Sequence, residues 1–115
     1  MVTRPGGRPH LWVVLTEPAG VPPQVAIVSF SSDDGRKDRT VRLGPRDHPY
    51  IWKPTIAFYT DTQIYDVAAL EAAVSAGLAT FHDDCTEDLL ETLRQGALDS
   101  PETPRRQKRY IQDRI

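Results

Sequence analysis

The sequence has little of what marks secreted, membrane-spanning and cysteine-rich proteins. Its single cysteine, Cys85, leaves no partner for an internal disulfide and excludes a cysteine-based metal site. No apolar run approaches the ~20 residues that span a bilayer. Residues 1–10 contain arginines but no apolar segment in the layout of a signal peptide. We therefore expect a cytoplasmic protein without a membrane partner.

Motifs of metal and nucleotide chemistry are also missing. The histidines show no metal-ligand spacing, and Gly6-Gly7 precedes no helical pattern of the phosphate-binding kind. No serine lies in a nucleophile-elbow sequence. We expect neither a metal nor a cofactor, so any catalysis would come from ordinary polar side chains.

Charge is distributed unevenly, although the net charge is only −2. Residues 1–60 carry eight basic and five acidic side chains, residues 61–102 one and ten, and residues 103–115 five and one. The acidic middle is typical of a solvated helical face. The basic ends leave room for a basic surface and a basic tail.

Short apolar runs separated by turn residues predict strands in the first half of the chain. These runs cover residues 10–16, 24–30, 40–43 and 55–59. Asp34-Gly35 and Gly44-Pro45 indicate turns between them. In the third run Val41 and Leu43 are expected to point inward.

Helical patterns follow Asp61. Asp66 is expected to cap a helix that Gly77 ends, and Thr86 a second helix that Gly96 ends. Residues 78–82 could hold an edge strand, and the basic tail predicts a third helix anchored by Tyr110 and Ile111. The 115 residues therefore predict one α+β domain, with antiparallel strands over about 8–60 and two or three helices over 61–115.

The polar stretch 44–60, GPRDHPYIWKPTIAFYT, is too rich in charged and aromatic residues for packing alone. A small barrel would bring its Asp47-His48 pair together with His10, which opens one strand, and Ser31, which ends another. Such residues can cleave RNA without a metal, because a 2′-hydroxyl attacks phosphorus while side chains transfer protons. Basic groups and hydroxyls then stabilise the developing charge, and aromatic rings stack on splayed bases. The rings in question belong to Tyr50, Trp52 and Tyr59.

Each of these residues also has a structural interpretation. His10 could simply form hydrogen bonds at a strand end, and Asp47-His48-Pro49 could form a turn. The serines could begin a loop, the tryptophans could belong to the core or close the barrel, and the basic tail could be a solvated helix face. The residues concerned are Ser31, Ser32, Trp12, Trp52, Arg105, Arg106, Lys108 and Arg109.

Several segments together resemble the PemK/MazF-like toxins of type II toxin–antitoxin systems. They read HLWVVLT (10–16), VAIVSFSS (25–32), RDHPYI (46–51) and IAFYTD (56–61), and the ending GALDSPETPRR is also similar. The similarity covers about residues 8–112. It implies an SH3-like barrel with helices, a homodimer and metal-independent cleavage of single-stranded RNA. It further implies a cognate antitoxin whose disordered segment occupies the RNA groove.

The resemblance also implies site residues. Arg8-Pro9 could match a family Arg beside a Pro, and Ser31-Ser32 matches a Thr-Ser pair, although His10 intervenes and Ser replaces Thr. Either Arg8 keeps the role of the basic residue, or His10, His48 or Arg46 takes it over. We favour the second option, because His10 and His48 lie inside the matched motifs. The predicted catalytic residues are His10, His48, Asp47 and Ser31. The predicted substrate-binding residues are Arg8, Arg46, Ser32, Lys53, Tyr50 and Tyr59.

Two other classes stay open on the sequence alone. The first is a non-catalytic barrel that binds a protein, as in gyrase poisons, through Tyr50, Trp52 and the last helix. The second is an adaptor that binds nucleic acid through residues 104–115.

Overall fold

The computed structural model describes residues 2–3, 10–82 and 84–115, with the backbone alone for Val2 and Thr3. Within these ranges the chain forms six strands and three helices, and the predicted α+β class is confirmed. The strands are β1 (Val2–Thr3), β2 (Leu11–Val14), β3 (Gln24–Ser32), β4 (Arg42–Leu43), β5 (Thr55–Asp66) and β6 (Thr80–Phe81). The helices are α1 (Val67–Ser75), α2 (Glu87–Asp99) and α3 (Arg105–Gln112).

The strands form one antiparallel sheet in the order β4-β5-β3-β2-β1-β6, which curls into a half-barrel. Its centre is the long β3–β5 pair, whose register runs from Gln24 opposite Asp66 to Ser32 opposite Thr55, with a shift between Ile27 and Ser29. On the other side of β3, Trp12 of β2 lies opposite Ser29. The beginning of β2, the end of β3 and the beginning of β5 therefore lie side by side, so that these strand ends share one side of the sheet.

The sheet confirms the predicted strands but corrects their extent. Strand β5 continues past residue 60, where the strands were expected to stop, to Asp66. This polar extension is held by pairing with β3 from Gln24 to Ile27. Asp66 does precede α1, but its carboxylate makes no capping bond and instead accepts a hydrogen bond from Gln24 Nε2 at 2.8 Å. Edge strand β6 is confirmed; its partner β1 was not predicted.

The core lies where the sheet packs against α2 and α3. Its members come from all of the longer strands and both helices, and they include Leu15, Val28, Tyr59, Leu93 and Ile111. Helix α1 buries no residue completely. Of the alternatives for Trp52, placement in the core is wrong, since this side chain is 77% exposed. Within the described part of the chain, no helix combines the length and apolarity needed to cross a membrane.

Helix α2 begins as predicted but does not end at Gly96. The Thr86 hydroxyl accepts a hydrogen bond from Leu89 N at 3.2 Å, and the helix runs on to Asp99. Gly96 is buried in its last turns, where a Cβ would collide with the Tyr59 hydroxyl and a Val41 methyl group. The glycine is required for close approach of α2 to the sheet rather than for helix termination.

This close approach predicts that Gly96→Ala destabilises the protein. Overpacking outweighs the better helix propensity of alanine, and we expect a net loss of about 1–2 kcal/mol in the free energy of unfolding. The Tyr59 ring cannot easily move aside, because its hydroxyl donates a hydrogen bond to Leu93 O at 2.8 Å. Urea denaturation measures the effect. The control is Gly44→Ala, where an added Cβ meets no heavy atom within 4 Å; equal stability of the two variants would contradict the prediction.

Candidate functional site

An open cleft of about 830 Å³ lies at the sheet edge where β2 and β5 begin and β3 ends. We call it the strand-end cleft. It is lined by His10, Leu11, Phe30, Ser31, Ser32, Asp34, Lys37, Pro49, Tyr50, Ile51, Trp52, Lys53 and Thr55.

The cleft brings together five of the ten residues predicted to form the catalytic and substrate-binding site. His10 immediately precedes β2, and Ser31 and Ser32 end β3. Tyr50 and Lys53 come from the connection that leads into β5. Antiparallel pairing of β3 with both neighbouring strands explains why these positions, far apart in sequence, share one surface.

Asp47 and His48 do not line this cleft. The Asp47 carboxylate accepts a hydrogen bond from Gly44 N at 2.7 Å, while Asp47 N donates to Gly44 O at 3.0 Å. His48 is only 3% exposed, and its Nδ1 accepts a hydrogen bond from Tyr50 N at 3.1 Å. Both side chains stabilise the turn that precedes Tyr50. This agrees with the structural interpretation of Asp47-His48-Pro49 as a turn.

Of the remaining three predicted site residues, Tyr59 and Arg46 lie outside the cleft lining, and Arg8 is not among the described residues. Tyr59 is fully buried, with its hydroxyl bonded to Leu93 O. Burial, together with the charges of Asp38 and Asp99, raises its pKa far above the ordinary tyrosine value. Tyr59 is thus placed in the core rather than on a substrate-binding surface. Arg46 is exposed but outside the cleft lining, and Arg8 lies outside the described residues.

Two exposed aromatic rings, Tyr50 and Trp52, form a rim of the cleft. The Tyr50 ring contacts the His82 ring, with 4.4 Å between centroids and an angle of 38°. The Lys53 ammonium lies 4.8 Å from the centroid of the Trp52 ring. A large exposed aromatic surface next to a cation suits a ligand that combines flat rings with negative charge.

Lys37, which no sequence motif indicated, reaches the cleft from the loop between β3 and β4. Its Nζ donates a hydrogen bond to Ser31 Oγ at 2.6 Å and lies 5.5 Å from the centroid of the Phe58 ring. The sequence pattern indicated only a polar turn over residues 31–39. The sequence of a polar loop does not show where its lysine side chain points. The contact of Lys37 with Ser31 depends on how the loop folds back onto β3.

The loop of residues 33–40 is held in shape by three aspartates, and we call it the aspartate loop. Asp33 accepts hydrogen bonds from Arg39 Nη2 at 3.1 Å and Gly35 N at 3.2 Å. Asp34 accepts one from Arg36 N at 2.9 Å. The bonds to Gly35 N and Arg36 N involve residues that precede Lys37, and the bond to Arg39 joins residues on its two sides. Together they restrict the backbone that carries the lysine.

Asp38 ties the same loop to the helices. Its carboxylate accepts hydrogen bonds from Thr40 N at 2.9 Å and from the hydroxyl of buried Ser100, which lies between α2 and α3. Desolvation by burial acts to raise the pKa of Asp38, but the hydrogen bonds from Ser100 and Thr40 outweigh it and hold the pKa below the ordinary value. The charged carboxylate therefore fastens the loop to the core.

No protein-family model matches this chain. Comparisons with curated proteins and with solved structures also return no match.

Among residues 10–82 and 84–115, no group of three or more His, Cys, Asp and Glu side chains is arranged to hold a metal ion. Burial raises the pKa of the Cys85 thiol, which packs against the core.

Proposed function

We propose that this protein cleaves single-stranded RNA in the strand-end cleft. The supporting observation is the meeting of a histidine, two serine hydroxyls, a lysine and two exposed aromatic rings on one open surface. These residues are His10, Ser31, Ser32, Lys53, Tyr50 and Trp52. Each supplies a group that metal-independent RNA cleavage needs.

The proposed reaction is an intramolecular displacement at phosphorus. His10 accepts the proton of the ribose 2′-hydroxyl as the 2′-oxygen forms its bond to phosphorus. The bond between phosphorus and the 5′-oxygen breaks, the 5′-oxygen takes a proton from water in the open cleft, and protonated His10 returns its proton to the hydroxide that is left. The products are a 2′,3′-cyclic phosphate and a free 5′-hydroxyl.

Binding uses the other residues of the cleft. The Ser31 and Ser32 hydroxyls donate hydrogen bonds to the scissile phosphate, and Lys53 attracts the neighbouring backbone charge. Tyr50 and Trp52 offer faces on which unpaired bases stack, each stacked base contributing about 1–3 kcal/mol. Duplex RNA keeps its bases inside the helix, so this rim favours single strands.

The biological role in this proposal is that of a toxin in a type II toxin–antitoxin system. It is supported by the PemK/MazF-like motifs, which include the cleft residues His10, Ser31 and Tyr50. An SH3-like form of the curled sheet, a homodimer and an antitoxin segment that occupies the cleft belong to the same proposal.

Incubation of the purified protein with unstructured RNA in EDTA tests the function. We expect fragments with 2′,3′-cyclic phosphate and 5′-hydroxyl ends, and no cleavage of the same RNA carrying 2′-O-methyl groups, which lack the attacking hydroxyl. Cleavage that appears only with added divalent metal would contradict the mechanism. Growth arrest on expression with cellular RNA intact would favour the non-catalytic barrel that binds a protein.

A further inference from the structure

We propose that Lys37, paired with Ser31, is the principal phosphate-binding group of the strand-end cleft. The ligand class, a phosphodiester of single-stranded RNA, rests on the proposed function. The anion site itself rests on the geometry of Lys37.

The hydrogen bond between the two side chains directs donors into the cleft. Lys37 Nζ donates to Ser31 Oγ at 2.6 Å, which uses one of the three ammonium protons. Because Ser31 accepts this bond, its own hydroxyl proton is left for another acceptor. Two N–H groups and one O–H group are therefore available to the oxygens of one phosphate.

The charge of Lys37 is not cancelled by a direct ion pair. Among the described residues, no carboxylate oxygen lies within 4.0 Å of its Nζ. Asp33 is engaged by Arg39 and Arg42, at 3.1 and 3.5 Å. Asp34 also lines the cleft, and the hydrogen bond that its Oδ1 accepts from Arg36 N, together with the nearby Lys37 charge, lowers the pKa of its carboxyl group. Lys37 therefore interacts with Asp34 only at longer range, and an anion in the cleft need not displace a direct ion pair.

Lys37 is also held in position before any ligand arrives. The aspartate loop restricts its backbone, and the Phe58 ring lies beneath its ammonium group. A lysine on a free loop would lose side-chain conformational entropy on binding. Much of that loss has already occurred for Lys37. Lys53, which is exposed at the rim, still has more side-chain freedom to lose on binding.

The expected role is electrostatic. As the 2′-oxygen attacks, negative charge grows on the non-bridging phosphoryl oxygens, and a fixed ammonium group next to them stabilises this charge. Lys37 transfers no proton in this step. It binds and stabilises the phosphoryl group, while His10 accepts the 2′-hydroxyl proton.

Titration with inorganic phosphate, followed by amide NMR, tests the anion site without RNA. We expect the largest shifts at the Ser31 and Ser32 amides. Lys37→Gln is expected to weaken phosphate binding by at least about tenfold, since it removes a charged hydrogen-bond donor. Lys37→Arg should restore part of it. The matched control is Arg36→Gln, which removes an exposed charge from the same loop and should bind like the wild type.

A second measurement uses 2′-O-methyl RNA of about ten nucleotides, within the length that single-strand grooves bind. Loss of one phosphate contact in Lys37→Gln lowers the slope of log affinity against log salt by about 0.7. A purely structural role would not change this slope selectively.

The outcomes separate the two proposals. If phosphate shifts other amides, or if Lys37→Gln and Arg36→Gln behave alike in both measurements, the assignment of Lys37 is overturned even where wild-type protein cleaves RNA. If phosphate binds through Lys37 but RNA is neither bound nor cleaved, the anion site stands and the proposed function fails.

Discussion

Replacing His10 with alanine is expected to lower the rate of RNA cleavage by about 10²–10⁴-fold, the usual contribution of a positioned acid or base. His10 immediately precedes β2, is exposed and lines the cleft. Its removal therefore takes away the proton acceptor without opening the core. Affinity for non-cleavable 2′-O-methyl RNA should change much less than the rate, because Ser31, Lys53 and the aromatic rim remain.

Single-turnover cleavage with the variant in excess over RNA measures this effect, and circular dichroism verifies the fold. His48→Ala is the informative comparison, because it removes a histidine that is 3% exposed and bonded to Tyr50 N. We expect that variant to unfold at a lower temperature. Full activity of folded His10→Ala protein would exclude His10 as the proton acceptor.

Replacing Ile111 with alanine is expected to lower the free energy of unfolding by about 2–5 kcal/mol, the range for deleting a fully buried aliphatic side chain. Ile111 is 0% exposed and is the one fully buried residue of α3, whose other positions are mostly basic or polar. Helix α3 has little other apolar surface with which to hold its place. The loss should therefore fall near the upper end of that range.

Ile115→Ala is the matched control, because it deletes the same atoms a few residues further on from a side chain that is 49% exposed. It should change stability by no more than ~0.5 kcal/mol. Urea denaturation of both variants gives the comparison. Similar stabilities for the two would mean that α3 does not hold its core contact in solution.

Much of the architecture could be predicted from local sequence. The apolar runs of residues 10–16 and 24–30 contain strands, because β-branched residues pack well on the surface of a sheet. Thr86 could be assigned as a helix cap because a capping bond involves only near neighbours. Gly96 could not be interpreted in this way, since its role depends on Tyr59, which is distant in sequence.

The candidate site likewise has a part that the local sequence predicts and a part that depends on the tertiary structure. The sequence alone determined the α+β class, the main strands, and the polar residues at their ends, including His10 and Ser31. Only the tertiary structure decided that Asp47 and His48 bond within their own turn, and that Lys37 reaches Ser31. Strand periodicity is a local property of the chain, whereas the direction of a loop side chain follows from long-range bonds such as Asp38 to Ser100.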